Sequence, residues 1–418
     1  MKDGVRPLRV LLATLRYPPH VAGGYEQLAQ DVAEGLRARG HRVDVLCGNS
    51  ADLAGIEGCH PRLAPAIDTD ENLFELGYRS GNLERLKLHF HRPANAEATR
   101  RVIQAVRPDV FLYLNLALVS LAPLLAAKRA GLPRVGIVCD LWPGNHWLRD
   151  WRERGGKTGR LRLLELAWRL WSRHVGWGRV LTPSDAMRGA LAAEGLDPAI
   201  VERLPTGITP AIEERAFAHS IAVRRQGEPL RIASTSMLWE GKGVHVLLEA
   251  AALAVEQGVD LQLRLAGGGE GEYLQRLRRL AGVPALGGRV EFLGLLPQTE
   301  LDGLLRTSHV FAFPSLWHEP YARGPMEAMA FGLALVATDA GGTPEQFEHD
   351  ASGLLVPAGD PRAMADAFVR LDRDELLRER LAADARVHAR THFSIDRFLE
   401  GLEAILVESA DGIGGAKR

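Results

Sequence analysis

Cysteine is nearly missing: the 418 residues hold three, Cys47, Cys59 and Cys139. Three cannot build a disulfide framework, and so few point to a reducing cytosol. No cluster of Cys, His, Asp or Glu has metal-ligand spacing. Charge of one sign is also missing. Lys+Arg 51 against Asp+Glu 52 leaves a net −1, which argues against a general nucleic-acid binder. The amino end, MKDGVRPLRVLLATL, lacks a signal-peptide pattern and runs straight into a strand pattern. Long apolar runs are scarce. Val110 to Ala127 has no charge, but Asn115, Ser120 and Pro123 interrupt it, so it reads as a strand, Val110–Leu114, and a following helix rather than a membrane span.

What is present is an ordinary globular mix, 46% hydrophobic and 25% charged. The length suits two or three domains. The balanced charge hides a split: residues 1–209 sum to +7 and residues 210–418 to −8. Strands and helices alternate throughout. Leu8–Leu15 is an apolar run of the kind that parallel strands show when both faces are covered. Tyr25, Leu28, Ala29, Val32 and Leu36 then recur at helical spacing up to Gly40, and Arg42–Leu46 is the next strand, a βαβ unit. Further strands are expected at Val135–Cys139, Val180–Pro183, Leu230–Thr235, Leu261–Ala266, Val290–Leu293, Val310–Phe313 and Leu335–Thr338. The expected organisation is a first domain over 1–207, a linker over 208–228 where periodicity lapses, a second domain over 229–393, a last helix over 394–410 and a mobile tail over 411–418.

In open α/β sheets, ligands sit beyond the carboxyl ends of the strands. The segment after Val310–Phe313 reads PSLWHEPYARGPMEAMAFG. Glu319 lies in the loop and Glu327 in the first turn of a short helix bounded by Pro325 and Gly332. A helix start offers free N–H groups to an anion, and a carboxylate accepts hydrogen bonds from paired sugar hydroxyls. Two glutamates eight apart are also common, and Glu327 would suit the helix dipole without any ligand.

RVEFLGLLP, VFAFPSLWHEPYARGPMEAMAFG, LVATDAGGTPE and GLLVPAGD together resemble the C-terminal domain of family 4 of the retaining glycosyltransferases. LLATLRYPPHVAGGYEQLAQDVAEGLRARGHRVDVLC, TPSDAMRGAL, LPTGI and GKGVHVLLEA extend the likeness, in order, over nearly the whole chain. The resemblance implies the GT-B fold: two Rossmann-like α/β domains facing across a cleft, with the C-terminal helix crossing back to the first. It implies a retaining, hexosyltransferase-type transfer from a nucleotide-diphosphate sugar to an acceptor hydroxyl, with no essential metal or other cofactor. Glu319 matches the glutamate of the E-x7-E motif that holds donor-sugar hydroxyls, and Glu327 the one that binds ribose. The N–H groups of Tyr321, Ala322 and Arg323 match those at the sugar and diphosphate, and Lys242 matches the cation on the diphosphate. Gly23-Gly24 matches the glycine loop after the first strand, and Gly268 the glycine turn near the nucleotide.

Two positions depart from the family's pattern. Cys139, followed by Asp140, stands where a histidine usually lies near the reacting centre; His146 is a nearby substitute. Met237 stands where an arginine usually shares the diphosphate with the lysine, leaving Arg323 or Arg16 to supply the charge. These departures leave two alternatives open: a catalytically weakened nucleotide-sugar-binding partner protein, and a different GT-B enzyme such as a nucleotide-sugar epimerase. The acceptor reading covers a sugar, a lipid-linked group or a small molecule, with no nucleic acid. Trp142, Trp147, Trp151, Trp168, Trp171 and Trp177 cluster with nine basic and three acidic residues between Arg149 and Arg179. That composition suits a membrane interface or a lipid-phosphate acceptor, a sugar-stacking cleft, or a helical insertion packing its tryptophans inward. A cytoplasmic protein, in peripheral contact with the inner membrane face, is the expectation.

Overall fold

The computed structural model describes residues 6–19, 24–48, 51–53, 55–64, 92–143 and 158–415. The chain divides into two compact units. One takes residues 1–183, 187–204 and 399–418, the other 184–186 and 205–398.

The first unit carries β1 (Arg9–Ala13), β2 (Arg42–Gly48), β3 (Cys59–Leu63), β4 (Val110–Tyr113), β5 (Arg134–Ile137), β6 (Arg179–Thr182) and β7 (Val201–Arg203). They form one parallel sheet in the order β3-β2-β1-β4-β5-β6-β7. The second unit carries β8 (Leu230–Thr235), β9 (Leu261–Ala266), β10 (Val290–Gly294), β11 (Val310–Phe313), β12 (Ala334–Thr338) and β13 (Leu354–Val356), parallel in the order β10-β9-β8-β11-β12-β13. Central strands such as β4, β11 and β12 are buried at every residue, because helices cover both faces of each sheet. That double cover is why they read as unbroken apolar runs.

Strand order reverses between β1 and β4 in one sheet and between β8 and β11 in the other. Neighbouring loops diverge there and leave a crevice at the carboxyl ends. Each unit therefore has one switch point, and the loops after β1, β4, β8 and β11 are where ligand groups belong.

Several expectations are corrected. The stretch read as a linker holds a helix, Pro210–Phe217. Thr209 caps it by accepting from the Ile212 amide, and Ile212 and Ala216 are buried. The Thr-Pro cap signature outweighs the mixed charge that follows it. The last helix runs Ile395–Gly415, so most of the expected tail is helical. Its later turns pack in the first unit, where Glu403 meets Arg39 at 3.2 Å and His41 at 2.9 Å, and Glu408 meets Arg179 at 2.6 Å. A Cβ on Gly35 would run into the Leu399 side chain, so glycine lets this helix seat closely. As expected, the uncharged run from Val110 splits into a strand, β4, and a following helix, Ala122–Arg129. Among the described residues no helix is long and apolar enough to cross a membrane.

Candidate active site

At the switch point of the second unit, the loop after β8 presents Lys242 and the loop after β11 presents Glu319. Their heads meet: Lys242 Nζ lies 2.6 Å from Glu319 Oε1. Ser315 Oγ donates to the same oxygen at 2.5 Å, and Glu319 is only 4% exposed. The Ser315 carbonyl in turn accepts from Thr338 Oγ1 at 2.6 Å. The Gly342 amide donates to the Glu319 carbonyl at 2.7 Å. A Cβ on Gly341 would strike the Glu319 backbone, and φ there is +59°. Gly243, at φ +65°, leaves its Cβ position to the Pro314 carbonyl oxygen. Glycines thus let three loops close tightly enough to aim one carboxylate at one ammonium. A buried charge needs such partners, since losing one strands the other. Ser315, Thr338 and Gly342 were missed in the sequence; their role is to hold Glu319, and nothing in their spacing announces it.

Glu327 belongs to the helix Arg323–Phe331, which starts two residues before the expected Pro325. Ala322 is its N-cap and makes no side-chain cap bond. The Ala322 carbonyl accepts from Gln346 Nε2 at 2.7 Å. Tyr321 is buried, its ring edge-on to Phe393 at 6.3 Å. Burial pushes the Glu327 carboxyl above the usual carboxylate range, while Arg323, 3.4 Å away, pulls it back. Arg323 is therefore engaged with Glu327. Nearby, Asp302 and Arg215 pair at 2.7 Å, Arg215 coming from the helix in the expected linker.

Met237 is 57% exposed, with a side chain that carries no charge to offer an anion. A Cβ on Gly268 would press only on the exposed Leu295 side chain at 3.1 Å, whereas Gly267, at φ +144°, leaves its Cβ position to the Ser236 carbonyl oxygen, so Gly267 is the glycine this turn requires. Beyond Lys242 the indoles of Trp239 and Trp317 meet edge to face at 5.3 Å. The Leu316 and Trp317 amides both donate to the Gly241 carbonyl, which fixes the pair's loops together.

In the first unit, nothing lies within 4 Å of a Cβ position at Gly24, so packing alone does not require glycine there. Gly23 and His146 fall outside the described residues, as do Trp147 and Trp151. Arg16 is half-buried just past β1. Cys139 follows β5, and its amide donates to the Tyr25 hydroxyl at 2.6 Å; the Asp140 carboxylate accepts from the Trp142 amide at 3.0 Å. Burial, helped by Asp140, pushes the Cys139 thiol up to about 12. A thiol so raised is protonated at neutral pH, and only the thiolate attacks. Cys59 is the opposite case: a hydrogen bond from Cys47 lowers its thiol. Iodoacetamide at neutral pH is therefore expected to modify Cys59 first and leave Cys139 intact, read by peptide mass mapping. Rapid labelling of Cys139 would instead show a reactive thiolate and make it a candidate nucleophile. Trp142, Trp168 and Trp177 are buried in the core of the first unit, Trp142 and Trp177 meeting edge to face at 5.6 Å. The inward-packing reading holds for those three tryptophans.

Among the described residues no group of three or more His, Cys, Asp or Glu could hold a metal ion.

Two family models match in tandem: Glycosyltransferase Family 4 over residues 22–211 and Glycosyl transferases group 1 over residues 217–388. The amylovoran biosynthesis glycosyltransferase AmsK of Erwinia amylovora is 34% identical over 172 residues, which cover 40% of this chain and 42% of that protein. The phosphatidyl-myo-inositol mannosyltransferase of Mycobacterium leprae is 28% identical over 395 residues, 91% of this chain and 92% of that one. The first curated relatives are matched over only 39–53% of their own length. Anabaena Alr3699/HepE, solved with UDP and glucose, superposes with a TM-score of 0.66 at 20% identity, covering 96% of this chain and 99% of that one.

Proposed function

We propose that the chain, which matches Glycosyltransferase Family 4 and then Glycosyl transferases group 1 on the GT-B fold, is a retaining, hexosyltransferase-type glycosyltransferase of the family 4 type. It moves a sugar from a nucleotide-diphosphate donor to an acceptor hydroxyl, in glycan, glycolipid or glycosylated-metabolite biosynthesis. The observation that carries this reading is the Lys242–Glu319 pair at the switch point, with Glu327 and Arg323 on the helix that follows.

In this reading the pair is a resting arrangement. A bound donor puts its diphosphate on the Lys242 ammonium and its sugar hydroxyls on Glu319, while Glu327 accepts from the ribose. As the bond from the sugar's anomeric carbon to the phosphate breaks, negative charge grows on the leaving diphosphate, where Lys242 stabilises it. The acceptor oxygen bonds to the same carbon on the same face, and its proton passes to the departing phosphate. Lys242, rather than a metal ion, supplies the charge. UDP in complex with HepE is support for a nucleotide donor. Work on a sugar, lipid-linked or small-molecule acceptor at the cytoplasmic face of a membrane belongs to the same proposal.

Ligands that bind only the folded state raise its melting point. A thermal-shift screen of UDP-, GDP-, ADP- and dTDP-sugars should single out one base. Turnover of that donor should survive a chelator and give a product of unchanged anomeric configuration by NMR. An inverted product would overturn the retaining mechanism, and no shift with any nucleotide would overturn the donor reading. The exposed Met237 and the protonated Cys139 favour a second reading, a nucleotide-sugar-binding partner protein with weakened catalysis. Binding without donor turnover would select it, and epimerised free sugar nucleotide would instead select an epimerase.

A further inference from the structure

The helix Thr158–Val175 has two unlike faces. Trp168, Ser172 and Val175 are buried. At about 100° per residue, Leu163, Leu166 and Leu170 fall on the opposite side, and they are 69%, 54% and 58% exposed. Arg162, Arg169 and Arg173, all exposed, line the adjoining strip. The helix sequence holds four arginines and one acidic residue, Glu165, which pairs with Arg169 at 3.2 Å. Lys128 and Arg129, exposed at the end of the helix Ala122–Arg129, add basic charge beside its last turn, where the Lys128 ammonium donates to the His174 carbonyl.

We infer that this helix is a docking surface for an anionic phospholipid bilayer. Lone exposed leucines are ordinary, but three in register along one helix are a patch. A leucine stripe bordered by arginines is the pattern of a helix lying in the headgroup plane, apolar side down, with cations on lipid phosphates. The helix is not apolar enough to cross a bilayer, so it lies along one. A second copy of this chain fits less well, because an antiparallel two-fold pairing of the same face brings arginine strips together and a parallel one leaves both strips without anionic partners. The two tryptophans on this helix are not the contact, since Trp168 is buried and Trp171 half-buried against His174 at 5.7 Å. The assignment is argued from the helix alone and deepens the proposed function by giving its membrane-face reading a surface.

The test is co-sedimentation of the full chain with phosphatidylcholine vesicles, with and without phosphatidylglycerol, at low and high salt. Two variants accompany it: Leu163→Glu/Leu166→Glu/Leu170→Glu and Arg162→Ser/Arg169→Ser/Arg173→Ser. All six side chains are exposed, and circular dichroism checks that both variants fold. Wild type should bind anionic vesicles at low salt and lose most of that binding at high salt. The leucine variant should bind at least about tenfold more weakly in both salts, and the arginine variant should lose its preference for anionic lipid. Wild type ignoring anionic vesicles at low salt, or a leucine variant that binds as well as wild type, overturns the assignment. So does a wild-type dimer that the leucine variant dissolves, which would give this face to a second copy. Nucleoside-diphosphate affinity, measured in parallel, should be equal in all three proteins. Its absence from wild type would count against the donor site and leave the vesicle result standing.

Discussion

Glu319→Gln is expected to lower turnover by roughly 10²-fold or more while nucleoside-diphosphate affinity stays level or rises. The side chain is buried and shares one oxygen between the Lys242 ammonium and the Ser315 hydroxyl. Glutamine keeps the shape but removes the charge. In the resting protein Lys242 is held by Glu319, so a diphosphate must compete for it. Without the carboxylate that competition ends, and binding does not suffer. The sugar, however, loses an anion facing its hydroxyls. Groups of this kind act on the charge developing at the transition state, and removing one costs about 10²–10³ in rate. Titration calorimetry with the nucleoside diphosphate and single-turnover measurement of sugar transfer separate the two effects. An affinity that falls in step with turnover would make Glu319 a general binding residue and remove its assignment at the sugar.

Glu327→Gln should do the reverse in binding and something unusual in stability. Loss of a charged acceptor for two ribose hydroxyls costs about 2 kcal/mol, roughly thirtyfold in affinity. The stability effect follows from the direction of the carboxyl's shift. Burial raises Glu327 above its unfolded value, against the pull of Arg323. A raised carboxyl favours the folded state below the ordinary carboxylate range, and that contribution is lost as pH rises through the raised value. At neutral pH the ionised side chain is therefore a cost to folding, borne for the sake of the ligand. Glutamine removes it. Urea unfolding should show the variant at least as stable as wild type at neutral pH, with the advantage shrinking in acid. A variant less stable at neutral pH would mean that the Arg323 pair outweighs burial, and unchanged nucleotide affinity would end the ribose assignment.

Much of this was legible in the residues, for identifiable reasons. β8, β9 and β11 match the expected strands to the residue, because parallel strands covered on both faces leave uninterrupted apolar runs bounded by polar turns. β3, β7 and β13 were not foreseen. All three flank the sheets as edges, and β7 and β13 have only three residues each; β3 carries Pro61, tolerated where one side of a strand has no partner. The glutamates were visible as residue types in a loop and a helix start. What holds Glu319 was not, since Ser315, Thr338 and Gly342 reach it through strand ends that meet only in the folded unit. The segment rich in Trp and Arg left several readings open. Amphipathic tryptophans suit cores as well as interfaces, and composition could not tell which side of the helix each occupied. Leu163, Leu166 and Leu170 look like core residues in the sequence and are the exposed ones.

The first unit owns both ends of the chain, residues 1–183 and 399–418, whereas the second is almost one unbroken stretch. The second unit is thus an insertion within the first. During synthesis the unit begun first is the one that must wait: its sheet can form early, but the surface presented by Gly35, Arg39 and His41 stays open until the final helix emerges. The inserted unit is whole once residue 398 is made, before the helix that completes the first unit. Removal of residues 399–415 would therefore disturb the unit built mainly from residues 1–183.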